Sequence, residues 1–260
     1  MHQLSIILER IFVKMLITID IIGASSVILM FIFILYKLIK RNKSYSPSFY
    51  RQLLANNCCE LCYIAMEYFL VRLPMFKLFQ SFYQQLQTYN GFFYGFSTGL
   101  TTSIAFGQFI LALNRFIVVK YPFFSTKCAN FKITIICIIF QVMLTIPPSI
   151  FGYFQTGIVE INQETLIITM PLSNSNSTKL ILLYATIIGC ILTTLSFCVG
   201  LKTFLIIKRS HSNLNSRRSV NEYKLLKFVF FQIITNITII ILSLLQFTIG
   251  IFGLYKILIA

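Results

Sequence analysis

The most informative segment of this sequence is FFYGFSTGLTTSIAFGQFILALNRFIVVKY, which runs from Phe92 to Tyr121. Its first part, from Phe92 to Leu113, carries no charged side chain. About 20 apolar residues in a helix cross the hydrocarbon core of a bilayer, so this part predicts a membrane-spanning helix. Arg115 is the first charge after it, and Pro122 follows a few residues later and ends the helix.

The composition of the whole chain also indicates a membrane protein. Of its 260 residues, 57% are hydrophobic and only 11% are charged, whereas soluble domains carry about 25% charged residues. A soluble core of this size cannot bury so much apolar surface, so we predict an integral protein of the lipid bilayer. The formal net charge is +15, but the basic residues lie in short segments between apolar runs, which argues against nucleic-acid binding.

Six apolar runs reach the length of a membrane-spanning helix, and they predict an all-α polytopic bundle. The predicted spans are residues 16–36, 53–73, 92–119, 133–153, 180–207 and 225–250. The second span is the most polar, because two asparagines and two glutamates interrupt it: Asn56, Asn57, Glu60 and Glu67. In the fourth span, the pair Pro147-Pro148 is predicted to distort the helix near its outer end.

The distribution of basic residues predicts the orientation of the chain. Most of the 22 Lys and Arg residues lie between spans one and two, three and four, or five and six. Those loops are therefore predicted to be cytoplasmic and the N-terminus extracellular. We expect a multi-pass protein of the plasma membrane. The loop 155–178 is then extracellular, and its sequon Asn176-Ser177-Thr178 predicts glycosylation at Asn176. A six-span chain in this orientation also ends outside, as expected of a seven-span design whose last helix is missing.

Three of the seven acidic residues fall at membrane depth: Asp20, Glu60 and Glu67. Ionised carboxylates are costly in lipid and face a bundle interior or a polar cavity. The functional interpretation is a polar cavity for a small-molecule ligand, or an ion-linked switch, near Glu67. The candidate residues of such a cavity are Tyr63, Glu67, Tyr94 and Gln108. The structural alternative places Asp20 at the outer interface and makes Glu60 an interior hydrogen-bonding residue.

Neither a metal site nor a catalytic site is expected. Cys58, Cys59 and Cys62 resemble a metal cluster, but the two histidines, His2 and His211, are far away in sequence, and a closed zinc site needs four ligands. Small residues at a helix interface explain these cysteines better. The two histidines cannot build an intramembrane triad, and there is no Gly-rich phosphate loop, so we expect neither an enzyme nor a cofactor.

Three segments of the chain carry a family resemblance. They are Ser48-Phe49-Tyr50-Arg51, Arg72-Leu73-Pro74-Met75-Phe76, and Leu111-Ala112-Leu113-Asn114-Arg115-Phe116 followed by Tyr121-Pro122. Together they resemble nematode serpentine chemoreceptors, a family of seven-span G-protein-coupled receptors, and most closely serpentine receptor class gamma and its relatives. In that class an Asn-Arg pair stands where many receptors have Asp-Arg-Tyr. The resemblance covers roughly residues 15 to 250.

The resemblance implies a chemosensory receptor that binds an extracellular chemical ligand and activates a cytoplasmic heterotrimeric G protein. It places Asn114 and Arg115 at the cytoplasmic mouth of the bundle, where the equivalent arginine takes part in the inactive-to-active switch and engages the G protein. Because Asn114 replaces the usual acid, a local Asp–Arg lock cannot form and Arg115 must find another partner. The simpler alternative for Arg115 is a positively charged anchor on the cytoplasmic side of the membrane.

Two other functions stay open at the level of the sequence. A small transporter or channel subunit would line its path with Glu60 and Glu67, and acids on several helices facing one cavity would favour it. A truncated receptor fragment that does not signal is the other alternative, since a seventh apolar span is missing from the sequence.

Overall fold

The computed structural model describes residues 21, 23–36, 38–40, 47–75, 80–121, 131–156, 160–161, 168–169 and 175–211. These residues are helical apart from turns and one short two-stranded ladder, which confirms the predicted all-α class. The sixth predicted span, residues 225–250, lies outside the described residues, as do Asp20 and the first residues of the first span.

The helices and strands follow one another along the chain with short connections. The helices are α1 (Gly23–Tyr36), α2 (Pro47–Glu67), α3 (Leu73–Met75), α4 (Gln80–Gln85), α5 (Asn90–Lys120), α6 (Phe131–Met143), α7 (Ile146–Tyr153) and α8 (Ser175–His211). A π-helix, Tyr68–Arg72, joins α2 to α3, and a 3₁₀ turn, Leu86–Tyr89, joins α4 to α5. Strand β1 (Glu160–Ile161) pairs antiparallel with β2 (Ile168–Thr169).

Three described helical segments are long and apolar enough to cross a membrane: Ser81–Lys120, Phe131–Tyr153 and Lys179–Arg209. They overlap the third, fourth and fifth predicted spans. The shorter apolar helix Gly23–Tyr36 overlaps the first. The second predicted span is helical over a longer range, from Pro47 to Met75. Its polar residues make it less apolar than the three segments above.

Helix α5 lies at the centre of the described bundle. It packs against α2, α6, α7 and α8, and its contact with α8 is the most extensive. Gly91, Gly95 and Gly99 recur every four residues, so they share one face of α5. A Cβ atom on Gly95 would collide with the backbone oxygen of Pro148 in α7. Because helices with small residues at their interface can approach closely, α5 and α7 touch backbone to backbone.

The fourth predicted span is broken where its prolines lie. Helix α6 ends at Met143, a two-residue turn follows, and α7 restarts at Ile146 with Pro147 and Pro148 in its first turn. Proline lacks a backbone N–H, and so it fits the first turn of a helix but not its interior. The predicted distortion at Pro147-Pro148 is confirmed.

Contacts between helix ends define two ends of the bundle. At one end the first turns of α2 and α6 meet, because the hydroxyl oxygens of Ser48 and Thr134 are hydrogen-bonded at 2.6 Å. The ends of α5 and α8 lie at the same end. Most of the described basic side chains gather there, and we call it the basic end: Lys40, Arg51, Arg115, Lys120, Lys132, Lys202, Lys208 and Arg209. Helix α3 and strand β2 contact each other at the opposite end.

Candidate functional site

Arg115 lies near the end of α5 and its side chain is half-buried. Its guanidinium carbon Cζ lies 4.7 Å from the ring centroid of Phe49, in the first turn of α2. A guanidinium within about 6 Å of a ring centroid makes a cation–π contact. Asn114 is also half-buried, but consecutive helical residues point about 100° apart around the axis. Arg115 thus has an aromatic partner on a different helix.

The packing around Leu111 explains how Arg115 reaches Phe49. Leu111 and Arg115 are four residues apart and therefore share one face of α5. Leu111 belongs to a buried apolar cluster with Ile34, Tyr50 and Leu53, and Phe49 packs against this cluster. The guanidinium group therefore lies at the edge of an apolar contact among α1, α2 and α5.

A second arginine–phenylalanine pair lies at the same end of the bundle. Cζ of Arg51 lies 4.7 Å from the ring centroid of Phe131, which joins α2 to α6. Phe131 is exposed, with 54% of its surface accessible. Cation–π contacts contribute about 0.5–1 kcal/mol at exposed sites and about 2 kcal/mol or more when desolvated. The two pairs therefore have the same distance from guanidinium carbon to ring centroid but differ in the burial of the ring.

A network of buried amides joins α2 to α6 inside the bundle. Nε2 of Gln52 donates to Oε1 of Gln141 at 2.7 Å, and Nε2 of Gln141 donates to Oδ1 of Asn56 at 3.3 Å. Nδ2 of Asn56 donates in turn to Oε1 of Glu60 at 2.8 Å. Such bonds satisfy polar groups that would otherwise be costly away from water. The interior hydrogen-bonding role expected of Glu60 is confirmed.

Helix α5 leaves space for this amide network at Gly107 and makes a further polar contact beside it through Ser103. A Cβ atom on Gly107 would collide with Asn56 and would lie 2.6 Å from Nε2 of Gln141. The thiol of Cys59 lies 3.5 Å from the hydroxyl of Ser103. Sequence reasoning missed Gln141, although a lone glutamine within the apolar run of α6 is a usable signal for a buried hydrogen-bonding residue.

The cysteine prediction was only partly right. Cys59 is half-buried between α2 and its neighbours, but Cys58 and Cys62 are exposed on the outer side of α2. The expectation that all three pack at a helix interface is wrong. Cys58 and Cys62 share one helix face because they are four residues apart, and both side chains on that face are exposed.

The four predicted cavity residues are all half-buried, but they lie at different depths. Tyr63 and Glu67 are one turn apart in the last part of α2. Tyr94 lies at the matching level of α5, since the rings of the neighbouring Phe69 and Phe93 are 5.5 Å apart. Gln108 lies 14 residues after Tyr94 on the same helix, which is about 21 Å along the axis. A compact ligand therefore cannot contact both Tyr94 and Gln108.

An aromatic cluster covers the opposite end of α2, next to the candidate cavity. The ring of Phe69 in the π-helix contacts those of Phe82, Tyr83 and Phe93, with centroid distances of 5.5 to 6.1 Å. Tyr83 is 1% exposed, and its hydroxyl donates to the backbone oxygen of Phe69 at 2.8 Å. Tyr83 thereby joins the segment after α3 to the end of α2.

Pro74 explains why the oxygen of Phe69 needs this side-chain donor. In the π-helix the N–H of Leu73 donates to the oxygen of Tyr68, five residues earlier. The next donor in that pattern would be residue 74, but proline has no N–H. A buried carbonyl without a partner is costly, and Tyr83 supplies the missing bond. A proline within an apolar helical run, with a tyrosine nine residues later, was the available sequence signal.

The sequon residue Asn176 lies in the first turn of α8 and is exposed. Lys179, one turn later, is exposed as well. Both residues are at the end of α8 that is remote from the basic end. The asparagine is therefore sterically accessible.

The comparison with known families supports the broader part of the resemblance, that to serpentine chemoreceptors. A family model described as serpentine type 7TM GPCR chemoreceptor Srv matches residues 21–252. The matched segment contains all of α2 to α8, including Asn114 and Arg115. No curated protein matches the chain.

Proposed function

Since the chain belongs to the Srv family of serpentine type seven-transmembrane chemoreceptors, we propose that it is a G-protein-coupled receptor for an extracellular chemical ligand. Srv is a family of membrane receptors and not of enzymes. The narrower assignment to serpentine receptor class gamma and its relatives is not confirmed by this match and stays a prediction.

The proposed orientation places the basic end in the cytoplasm of a plasma-membrane receptor. Lys and Arg near the ends of membrane spans favour the cytoplasmic side. The described basic side chains gather at one end of the bundle, while Asn176 lies at the other. This arrangement supports an extracellular N-terminus and glycosylation of Asn176.

The burial of Arg115 is the observation that carries the coupling proposal. A simple lipid anchor is expected to be exposed, as Lys120 and Lys202 are at the same end. Arg115 is instead half-buried between α5 and α2 and contacts Phe49. In this position it can change partners when the helix ends move apart and a heterotrimeric G protein binds.

The proposed ligand site lies between α2 and α5 near the extracellular end and includes Tyr63, Glu67 and Tyr94. Gln108 lies deeper and would respond indirectly. Helix α2 carries Glu67 at one end and Phe49 at the other. A ligand that binds better to one arrangement of α2 and α5 than to the other would shift their populations, which is sufficient for signalling.

The test is ligand-evoked nucleotide exchange by purified heterotrimeric G proteins, with the full chain in membranes and a library of small volatile and water-soluble compounds. We expect Arg115→Ala to reduce evoked exchange by about tenfold or more, within the usual range of coupling between sites. Arg51→Ala is the matched control, because the guanidinium group of Arg51 also lies over a phenylalanine ring at the basic end. Normal coupling by Arg115→Ala would contradict the switch role, and exchange by no G protein in the wild type would contradict receptor function.

The structure offers less support for a transporter or channel subunit. That function was expected to place acids from several helices around one path. Among the described residues, the two acids at membrane depth, Glu60 and Glu67, both lie on α2. Glu60 is engaged in the amide network with Asn56.

A further inference from the structure

We propose that Phe49 is a positioning residue that holds Arg115 in the inactive arrangement of the bundle, in place of the acid that is absent beside that arginine. The proposal rests on the proposed receptor function and names the partner of its switch residue. Phe49 contacts no ligand in this scheme. It acts by holding the guanidinium group of Arg115 in one position.

The ring of Phe49 is itself held in place by its neighbours. It makes an edge-to-face contact with Tyr50, with centroids 5.7 Å apart and planes at 81°. Tyr50 is buried within the cluster of Ile34, Leu53 and Leu111. The ring face that Arg115 contacts is therefore held in place by packing among α1, α2 and α5.

Electrostatics along α2 favour an aromatic partner over an acidic one for a cation near the first turn of the helix. The nearest acid along α2 is Glu60, 11 residues after Phe49, which is about 16 Å along the axis. The first turn of a helix also carries partial positive charge, which repels a cation. The negative face of the Phe49 ring is thus a favourable element that the start of α2 offers to Arg115. The neighbouring Tyr50 also interacts electrostatically with the guanidinium group.

A contact of this kind suits a switch because it is specific but easily exchanged. A half-buried cation–π contact biases a two-state equilibrium by about three- to tenfold. Movement of α2 relative to α5 would separate the ring from the guanidinium group, and Arg115 could then engage the G protein. Loss of the ring alone should therefore raise signalling in the absence of any ligand.

The experiment compares ligand-free nucleotide exchange by the full chain carrying Phe49→Leu, Phe49→Trp or Phe131→Leu, using a panel of purified heterotrimeric G proteins. Leucine keeps the apolar packing but lacks the ring face, whereas tryptophan offers a stronger one. We expect about a three- to tenfold rise for Phe49→Leu, wild-type or lower exchange for Phe49→Trp, and wild-type exchange for Phe131→Leu. A wild-type rate for Phe49→Leu, or an equal rise for Phe131→Leu, would overturn the proposal.

A second measurement separates the contact from the receptor function. Phe49→Leu and Arg115→Gln are combined in a double-mutant cycle read by thermal unfolding of the purified chain. Non-additive shifts in the melting temperature are expected, and additive shifts would overturn the contact whatever the G protein does. If the shifts are non-additive but the wild type activates no G protein, the receptor function fails and the positioning role fails with it.

Discussion

Two helices of this bundle are interrupted by proline towards the same end, and each accommodates the interruption differently. The helix that starts with α2 continues through Pro74 by widening into the π-helix Tyr68–Arg72. The helix that starts with α6 stops before Pro147 and restarts as α7. In both cases proline deprives an earlier carbonyl of its backbone donor.

The two interruptions are stabilised by different parts of the protein. The oxygen of Phe69 receives a 2.8 Å hydrogen bond from Tyr83. The oxygen of Leu144, which would otherwise pair with residue 148, receives only a 3.5 Å bond from Tyr184, at the limit for such a bond. Helix α7 depends instead on its backbone contact with the glycines of α5. Side-chain bonds can exchange partners, whereas a glycine interface opens only if the whole helices separate.

The largest effect is expected from disrupting the glycine interface. Gly95→Leu would force a side chain into the backbone of Pro148 and should cost about 3 kcal/mol or more in the free energy of unfolding. Gly189→Leu is the matched control, because a Cβ atom on Gly189 meets nothing within 4 Å. Circular dichroism during heating gives the melting temperature of both variants. Equal melting temperatures would show that α7 does not depend on this contact.

A smaller effect is expected from removing one hydroxyl at the other interruption. Tyr83→Phe leaves the buried oxygen of Phe69 without a donor and should cost about 1–3 kcal/mol. Tyr184→Phe should cost about 0.5 kcal/mol, because its bond to Leu144 is long and its side chain is only half-buried. Thermal unfolding of the two variants side by side checks the difference. An equal cost would mean that the two interruptions are stabilised in the same way.

The smallest effect is expected for Tyr83→Phe when Pro74 is also replaced, and it tests whether the proline is the reason for the Tyr83 hydrogen bond. Alanine at position 74 restores a backbone N–H, so the oxygen of Phe69 regains a donor within the helix. We expect the cost of Tyr83→Phe to fall below about 0.5 kcal/mol in the Pro74→Ala background. The double-mutant cycle uses the same unfolding measurement. If Tyr83→Phe costs as much with alanine as with proline, the hydroxyl stabilises the fold for another reason.

The sequence predicted the central features of the fold because they depend on local composition. The uncharged run 92–113 predicted a long helix, and α5 covers it from Asn90 to Lys120. The proline pair in the fourth span predicted the break between α6 and α7. The ends of the helices were less predictable. Helix α2 begins six residues before the predicted span, because its first turns are polar and are helical through packing and not through hydropathy.

The candidate site was predictable only in part. The Asn-Arg motif identified Arg115 as a candidate functional residue, and its half-buried position at the basic end fits that choice. The cavity prediction combined residues that share suitable chemistry without regard to depth, which is why it joined Tyr94 to the distant Gln108. No pattern along the chain indicated that Phe49 would contact Arg115.

The sequence alone determines the membrane class, the number of apolar runs, their basic flanks and the break at Pro147-Pro148. Hydropathy, charge and the lack of an N–H belong to each residue wherever it lies. The partners of buried polar and charged groups were decided only by the tertiary structure. Gln52 and Gln141 are bonded although they are 89 positions apart, and the pairs Arg115–Phe49 and Phe69–Tyr83 likewise join different segments. Such pairings depend on which helix faces meet, and that choice is a property of the packed bundle as a whole.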